Sequence, residues 1–93
     1  MIQSFKDEDA EKIFQGMLVH RLPSGFQRSA LRKLLILNAA TELGDLRVPP
    51  GNILEKLSGD RRGQYSIRIN EQWRIYFKWN EGVVHNVEIV DYH

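Results

Sequence analysis

The residues of this chain best suited to chemistry lie in its C-terminal part. Arg68 and Arg74 stand in two consecutive runs of alternating polar and apolar residues, and the chain ends on Asp91, Tyr92 and His93. A guanidinium is a planar, permanently charged fork that matches phosphate oxygens, and an imidazole exchanges protons near neutral pH. Because two arginines and a proton-transfer group together suit the cleavage of a phosphodiester, RNA chemistry is the leading hypothesis.

Other charged side chains extend this candidate site. Glu55 stands among apolar neighbours, where it could act as a general base or face solvent from a short strand. The basic residues that could bind RNA phosphates are Lys56, Arg61, Arg62, Lys78, Arg28, Arg32 and Lys33, the last three on a predicted helix. None of these groups is specific by itself, since exposed lysine and arginine usually form solvated surface.

Length and composition indicate the class of protein. The chain has 93 residues, of which 42% are hydrophobic and 27% charged, so we expect one globular domain over residues 1–93. The lack of cysteine excludes a disulfide framework and a thiol nucleophile and favours the cytoplasm. An acidic N-terminal segment and the lack of a long apolar run argue against secretion and membrane insertion.

Charge and histidine spacing constrain ligands. A net charge of +1 gives little unassisted attraction to nucleic acid, so any RNA contact must come from a local cluster, and we expect poor activity on naked RNA. The three histidines show no metal-site spacing. We therefore expect no metal and no other cofactor.

Two helices are predicted ahead of the sheet. Apolar residues recur at helical spacing from Ala10 to Leu18, behind an acidic run that suits a helix N-terminus. A second helix is predicted to begin at a capping box formed by Ser24 and Gln27 and to continue toward Gly44.

From residue 64 the hydrophobic period changes to two, which is typical of strands. Residues 65–70, 73–79 and 83–92 are predicted as antiparallel strands, with a possible leading strand at 2–5 and a short strand or turn at 53–57. The sequence therefore predicts an α+β fold in which two N-terminal helices pack on a twisted antiparallel sheet of four or five strands. Strand alternation alone, which one β-bulge would reverse, leaves an open face with Arg68, Arg74, Tyr76, Lys78 and Tyr92.

Three motifs are specific in combination: Leu57-Ser58-Gly59-Asp60, Asn70-Glu71-Gln72-Trp73-Arg74-Ile75 and the terminal Asp91-Tyr92-His93. Together they resemble the RelE/ParE toxin superfamily, and within it the HigB branch, over essentially the whole chain. The resemblance implies a toxin of a type II toxin–antitoxin system that cleaves mRNA in the ribosomal A site without a metal. It also implies a helix-turn-helix antitoxin, similar to HigA, through which alone the toxin would reach operator DNA.

The resemblance also implies roles for individual residues. Arg74 would stabilise the phosphate with Arg68 on the same face, and the terminal Asp91, Tyr92 and His93 match the catalytic group of the family. An RNA 2′-hydroxyl would attack the adjacent phosphate, with either Glu55 or His93 as the base.

Two other functions are compatible with this fold, because a fold does not determine function. One is a ParE-like, non-enzymatic inhibitor of DNA gyrase, and the other is a catalytically weak RNA-binding or corepressor module. The terminal cluster with its two arginines favours the nuclease.

Overall fold

The computed structural model describes residues 1–92, which contain two helices and a four-stranded sheet. Helix α1 (Glu8–Phe14) begins after Asp7, whose carboxylate accepts a hydrogen bond from the Asp9 N–H at 3.0 Å. It ends earlier than predicted because Gly16 turns the backbone to a φ of 86°. Met17 and Leu18, expected on the apolar helical face, are consequently 52% and 77% exposed.

Helix α2 (Ser24–Ala39) differs from the prediction at both ends. Pro23 is the N-cap residue and the predicted capping box does not form. The Gln27 side chain instead accepts a hydrogen bond from the Val19 N–H through Oε1 and donates through Nε2 to the carbonyls of Val19 and Leu22. The helix stops before Gly44 because Ala40 is extended, and a short 3₁₀ helix, Leu43–Arg47, follows.

The sheet has four antiparallel strands in the order β1 (Glu55–Lys56), β2 (Gln64–Arg68), β3 (Trp73–Asn80) and β4 (Val83–Asp91). The predicted leading strand at residues 2–5 does not form a continuous strand. It makes two isolated parallel bridges to β4, between Ile2 and Val84 and between Phe5 and Val87. The N-terminal segment thus extends the β4 edge with parallel pairing. The predicted α+β fold is confirmed.

The core lies between the helices and one face of the sheet. Its completely buried side chains include Leu34 and Leu37 of α2 and Ile67, Ile75 and Phe77 of the sheet. Phe26 of α2 stacks on Trp73, with ring centroids 5.3 Å apart. Burial of this apolar surface is the main favourable term for the fold.

A β-bulge between β3 and β4 modifies the alternation. The register shifts between Tyr76 and Lys78, and the extra residue in β4 is Asn86, with a φ of 55°. Val84 and Val87 are three residues apart, yet both are completely buried. The other face of the sheet, here called the open face, carries Glu55, Ser66, Arg68, Arg74, Tyr76, Glu88 and Val90 by register.

Candidate active site

Arg74 lies on the open face, but its guanidinium is buried. Its Nη1 donates to the Ser66 hydroxyl at 2.9 Å and to the Ile53 carbonyl at 3.2 Å, and its Nη2 lies 2.6 Å from Oε1 of Glu55. The side chain is only 7% exposed. A buried cation needs such acceptors, because removing a charge from water is costly unless it is paired and hydrogen-bonded. These contacts leave Arg74 with a fixed orientation.

Arg68 lies directly opposite Arg74 in the β2–β3 ladder. Its Nε donates to the Asn70 carbonyl at 3.0 Å, and its side chain is partly exposed. Like charges in directly opposed positions repel each other. An anion between the two guanidinium groups would relieve this repulsion, and phosphate has the matching geometry.

Both arginines line an open depression of about 290 Å³. Its other lining residues are Ile53, Asn70, Glu71 and Tyr92. The Arg74 guanidinium carbon lies 5.0 Å from the centroid of the Tyr92 ring, within the range of a cation–π contact. The depression therefore combines two cations with an aromatic ring that is itself 44% exposed.

Asp91 and Tyr92, at the end of β4, lie toward opposite faces of the sheet because side chains alternate along a strand. Tyr92 meets Arg74 at the open face, whereas Asp91 is paired with Trp73 and follows the alternation of the core face. The Gln72 amide donates to the Asp91 carboxylate at 3.3 Å. His93, predicted as catalytic, lies outside the described residues.

The predicted RNA-binding residues of the sheet and its loops are exposed or partly exposed. Arg61 bonds Glu88 at 3.2 Å, and its guanidinium carbon lies 4.8 Å from the centroid of the Tyr76 ring. This cover explains why Tyr76, expected to be open to solvent, is only 9% exposed. The side chains of Lys56, Arg62 and Lys78 are exposed.

The predicted basic face of α2 is divided by the fold. Arg28 and Arg32 are exposed in the helix layer, on the side of the sheet opposite the depression. Lys33 instead points inward, is buried and donates to the Asn52 side chain. Burial lowers the pKa of the Lys33 amine, and the nearby Arg32 charge lowers it further. The prediction that Lys33 belongs to an exposed RNA-binding surface is therefore wrong, because its side chain is buried.

Sequence reasoning missed two groups of the site. Ser66 alternates with Arg68 along β2, so its place on the open face was available from the pattern. The carbonyl of Ile53 left no signal in the sequence, because any residue carries a carbonyl. Within residues 1–92, no cluster of three or more His, Asp or Glu side chains could hold a metal ion. The helices in that range are also too short or too polar to span a membrane.

Residues 3–93 match the model of a family described as the RelE-like toxin of the type II toxin–antitoxin system HigB. The chain belongs to this family. The resemblance inferred from the three motifs is thereby confirmed. The chain is a HigB-like toxin of the type II toxin–antitoxin class.

Individual relatives agree with this assignment. The HigB-like toxin is 45% identical to Toxin HigB-1 of Vibrio cholerae over 87 residues, which cover 92% of each chain. It is 31% identical over 93 residues to a protein of Proteus vulgaris named Endoribonuclease HigB, and the match covers 100% of both chains.

Solved structures share the fold at lower identity. A YoeB–YefM toxin–antitoxin complex from Staphylococcus aureus aligns with a TM-score of 0.64 at 19% identity, over 100% of this chain and 95% of that chain. YafQ from E. coli aligns with a TM-score of 0.60 at 12% identity, over 98% of this chain and 91% of that chain.

Proposed function

We propose that this HigB-like toxin is a ribosome-dependent endoribonuclease that cleaves mRNA in the A site at the depression formed by Arg68 and Arg74. The observation that carries the proposal is the directly opposed arginine pair, one member fixed by three acceptors and the other partly exposed. A fixed guanidinium needs no reorganisation as negative charge develops on the phosphate, which is the requirement for electrostatic stabilisation of a transition state.

The reaction consists of an in-line attack within the RNA. The 2′-oxygen loses its proton and forms a bond to the adjacent phosphorus, and the bond from phosphorus to the 5′-oxygen breaks. The products are a 2′,3′-cyclic phosphate and a 5′-hydroxyl, which takes up a proton. DNA lacks the 2′-hydroxyl and cannot react by this route.

The side chains are assigned to these steps as follows. Arg68 and Arg74 neutralise the non-bridging phosphate oxygens, and the exposed Tyr92 ring contacts a base. Glu55 has one oxygen held by Arg74, which makes it a positioning group, so we assign the general base to His93. Proton transfer by a positioned base contributes about 10²- to 10⁴-fold to a rate.

The proposal includes partners. A helix-turn-helix antitoxin, similar to HigA, would bind the toxin and would be its link to operator DNA. The ribosome would present mRNA to the depression, because a net charge of +1 gives the toxin little attraction of its own for RNA. Such an activity belongs in the cytoplasm, where translation occurs.

Primer extension on a defined mRNA in a reconstituted translation reaction tests the proposal. Wild type is compared with Arg74→Ala, His93→Ala and the control Lys12→Ala, which changes a basic residue of α1 in the helix layer. We expect discrete cuts at A-site codons in wild type and control, and none in the other two variants. Intact mRNA under conditions in which the protein still stops growth would refute the nuclease and indicate gyrase as the target.

A further inference from the structure

The segment before β1 contains a buried amide that makes no direct contact with the guanidinium of Arg74. Asn52 is completely buried, and its Oδ1 accepts a hydrogen bond from the Lys33 amine. Its Nδ2 donates to the carbonyls of Leu46 at 3.1 Å and Val48 at 3.2 Å. Because only the NH₂ group of an amide can donate, these three contacts permit one orientation of the side chain. The backbone at Asn52 is thereby fixed.

The residue that follows Asn52 has an unusual backbone conformation. Ile53 has a φ of 44° and a ψ of 65°, in the left-handed region that β-branched residues rarely occupy. Its side chain is 44% exposed, so packing of that side chain does not compensate for the strain. Residues in such conformations persist only where the surroundings impose them, and they concentrate at functional sites.

The left-handed turn has a direct consequence for the candidate active site. The Ile53 carbonyl is turned toward Arg74 and accepts from Nη1 at 3.2 Å. Two residues later, Glu55 holds Nη2 of the same guanidinium at 2.6 Å. Between Asn52 and Ile53 the chain therefore passes from a contact with α2, through Lys33, to contacts on the open face.

We propose that Asn52 is a positioning residue for Arg74. Through its three hydrogen bonds it holds Ile53 in the left-handed conformation, and this conformation brings the acceptors of residues 53 and 55 onto the guanidinium. The catalytic part of the inference rests on the proposed nuclease function, whereas the effect on Arg74 geometry does not.

The alternative role for Asn52 is support of the fold without any influence on Arg74. The two roles differ in what a glycine at position 53 does. Glycine occupies the left-handed region without a steric penalty, so it reduces the need for Asn52 to impose that conformation. If Asn52 served only stability, adding Ile53→Gly to an Asn52 variant would make the backbone more flexible and would not restore the contacts of Arg74.

The test compares Asn52→Asp with the double variant Asn52→Asp/Ile53→Gly. Aspartate keeps an acceptor for Lys33 but loses both donors to Leu46 and Val48. Gln27→Glu is the matched control, because Gln27 is also a buried amide that donates to two backbone carbonyls, and it lies in the helix layer. All variants are studied at temperatures where circular dichroism shows the same folded fraction.

Two readouts are needed. The first is the NMR signal of the Arg74 guanidinium protons in ¹⁵N-labelled protein, whose protection reports the contacts with Ile53, Glu55 and Ser66. The second is the single-turnover rate of mRNA cleavage on programmed ribosomes. We expect Asn52→Asp to lose the protected signals and to cleave about 10- to 100-fold more slowly, as for a misplaced catalytic group.

We expect the double variant to regain the protected Arg74 signals and at least part of the cleavage rate. Gln27→Glu should keep the protected signals and the wild-type cleavage rate. Wild-type signals in Asn52→Asp, or a double variant as impaired as the single one, would overturn the proposal. If wild type cuts no mRNA, the nuclease function fails, and the NMR signals still decide the positioning role.

If Asn52→Asp does not fold, Ile53→Pro and Ile53→Gly replace it. Proline fixes φ near −65° and cannot adopt the conformation of Ile53, whereas glycine can. Loss of the protected Arg74 signals in the proline variant alone supports the second step of the proposal, in which the left-handed conformation of Ile53 holds Arg74. Equal behaviour of the two variants contradicts it.

Discussion

Nη2 of Arg74 lies 2.6 Å from Oε1 of Glu55, and the two side chains differ in exposure, at 7% and 43%. The guanidinium is enclosed by the protein, while part of the carboxylate reaches solvent. This relationship couples a residue expected to be a base to the residue expected to bind phosphate. Under the proposed mechanism, Glu55 would act on the reaction through Arg74.

Glu55→Gln separates a positioning role from a base. The amide keeps an oxygen that can accept from Arg74, so we expect a cleavage rate within about 5-fold of wild type and a greater loss in Glu55→Ala. A general base would instead make both variants lose about 10²- to 10⁴-fold. Single-turnover cleavage on programmed ribosomes gives the comparison, and equal losses in the two variants would contradict the positioning role.

Arg74→Lys tests whether the shape of the guanidinium matters in addition to its charge. An ammonium group is a point charge and cannot reproduce the planar fork that bonds Ser66, Ile53 and Glu55. We expect a loss of about 10²-fold in rate, in the range found when one oxyanion donor is removed. Arg68→Lys is the matched comparison and should lose less, because Arg68 is partly exposed. Equal losses would show that charge alone is used at both positions.

The hydrogen bonds of the Asp45 carboxylate lead us to expect a pH-dependent contribution to the free energy of unfolding. Its Oδ2 accepts from the backbone N–H of Glu42 and from the backbone N–H and hydroxyl of Thr41, at 3.0 to 3.1 Å. These bonds hold the pKa of Asp45 below its ordinary value of 3.8, the Glu42 N–H having the largest effect. The stabilisation is therefore present above pH 3.8 and is lost as the pH falls through the lowered pKa.

Asp45→Asn should consequently lower the free energy of unfolding at neutral pH, and its difference from wild type should shrink in acid. Urea denaturation across the acid range measures this difference. Asp60→Asn, at an exposed position of the short 3₁₀ helix Gly59–Arg61, is the control and should leave stability nearly unchanged. A constant difference between Asp45→Asn and wild type at all pH values would show that charge at position 45 is irrelevant.

Gly82 is required by the β3–β4 turn. It has a φ of 84°, and a Cβ at this position would lie 3.2 Å from the backbone oxygen of Thr41. We expect Gly82→Ala to lower the free energy of unfolding by about 1–2 kcal/mol. Gly25→Ala is the control, since Gly25 lies in the first turn of α2 with open space around it and should gain stability from alanine. Denaturation curves of equal midpoint for both variants would contradict this account.

Arg28 and Arg32 lie on the side of the sheet opposite the depression. If they contact ribosomal RNA, Arg28→Ala/Arg32→Ala should raise KM several-fold at low salt, with kcat unchanged, because phosphate contacts of this kind are screened as salt increases. Initial cleavage rates measured over a range of programmed-ribosome and salt concentrations give both constants. A lower kcat with constant KM would place these side chains nearer the chemistry than the fold allows.

Local features of the sequence predicted the main elements and part of the site. The period-two pattern from residue 64 placed Arg68 and Arg74 on one face, because alternation is a property of consecutive residues in a strand. The three motifs identified the family for the same reason, since each is a short, contiguous run. Helix ends were predicted less well: Gly16 and Ala40 end helices through backbone conformation, which the apolar pattern does not encode.

By itself, the sequence determined the α+β class, the family and the arginine pair, all of which depend on neighbouring residues. Only the tertiary structure decided the burial of Lys33, the pairing of Glu55 with Arg74 and the left-handed turn at Ile53. These features depend on contacts between residues up to 21 positions apart in the chain, as between Ile53 and Arg74. Such contacts arise when strands and connectors pack together, and no local pattern specifies which buried polar group meets which partner.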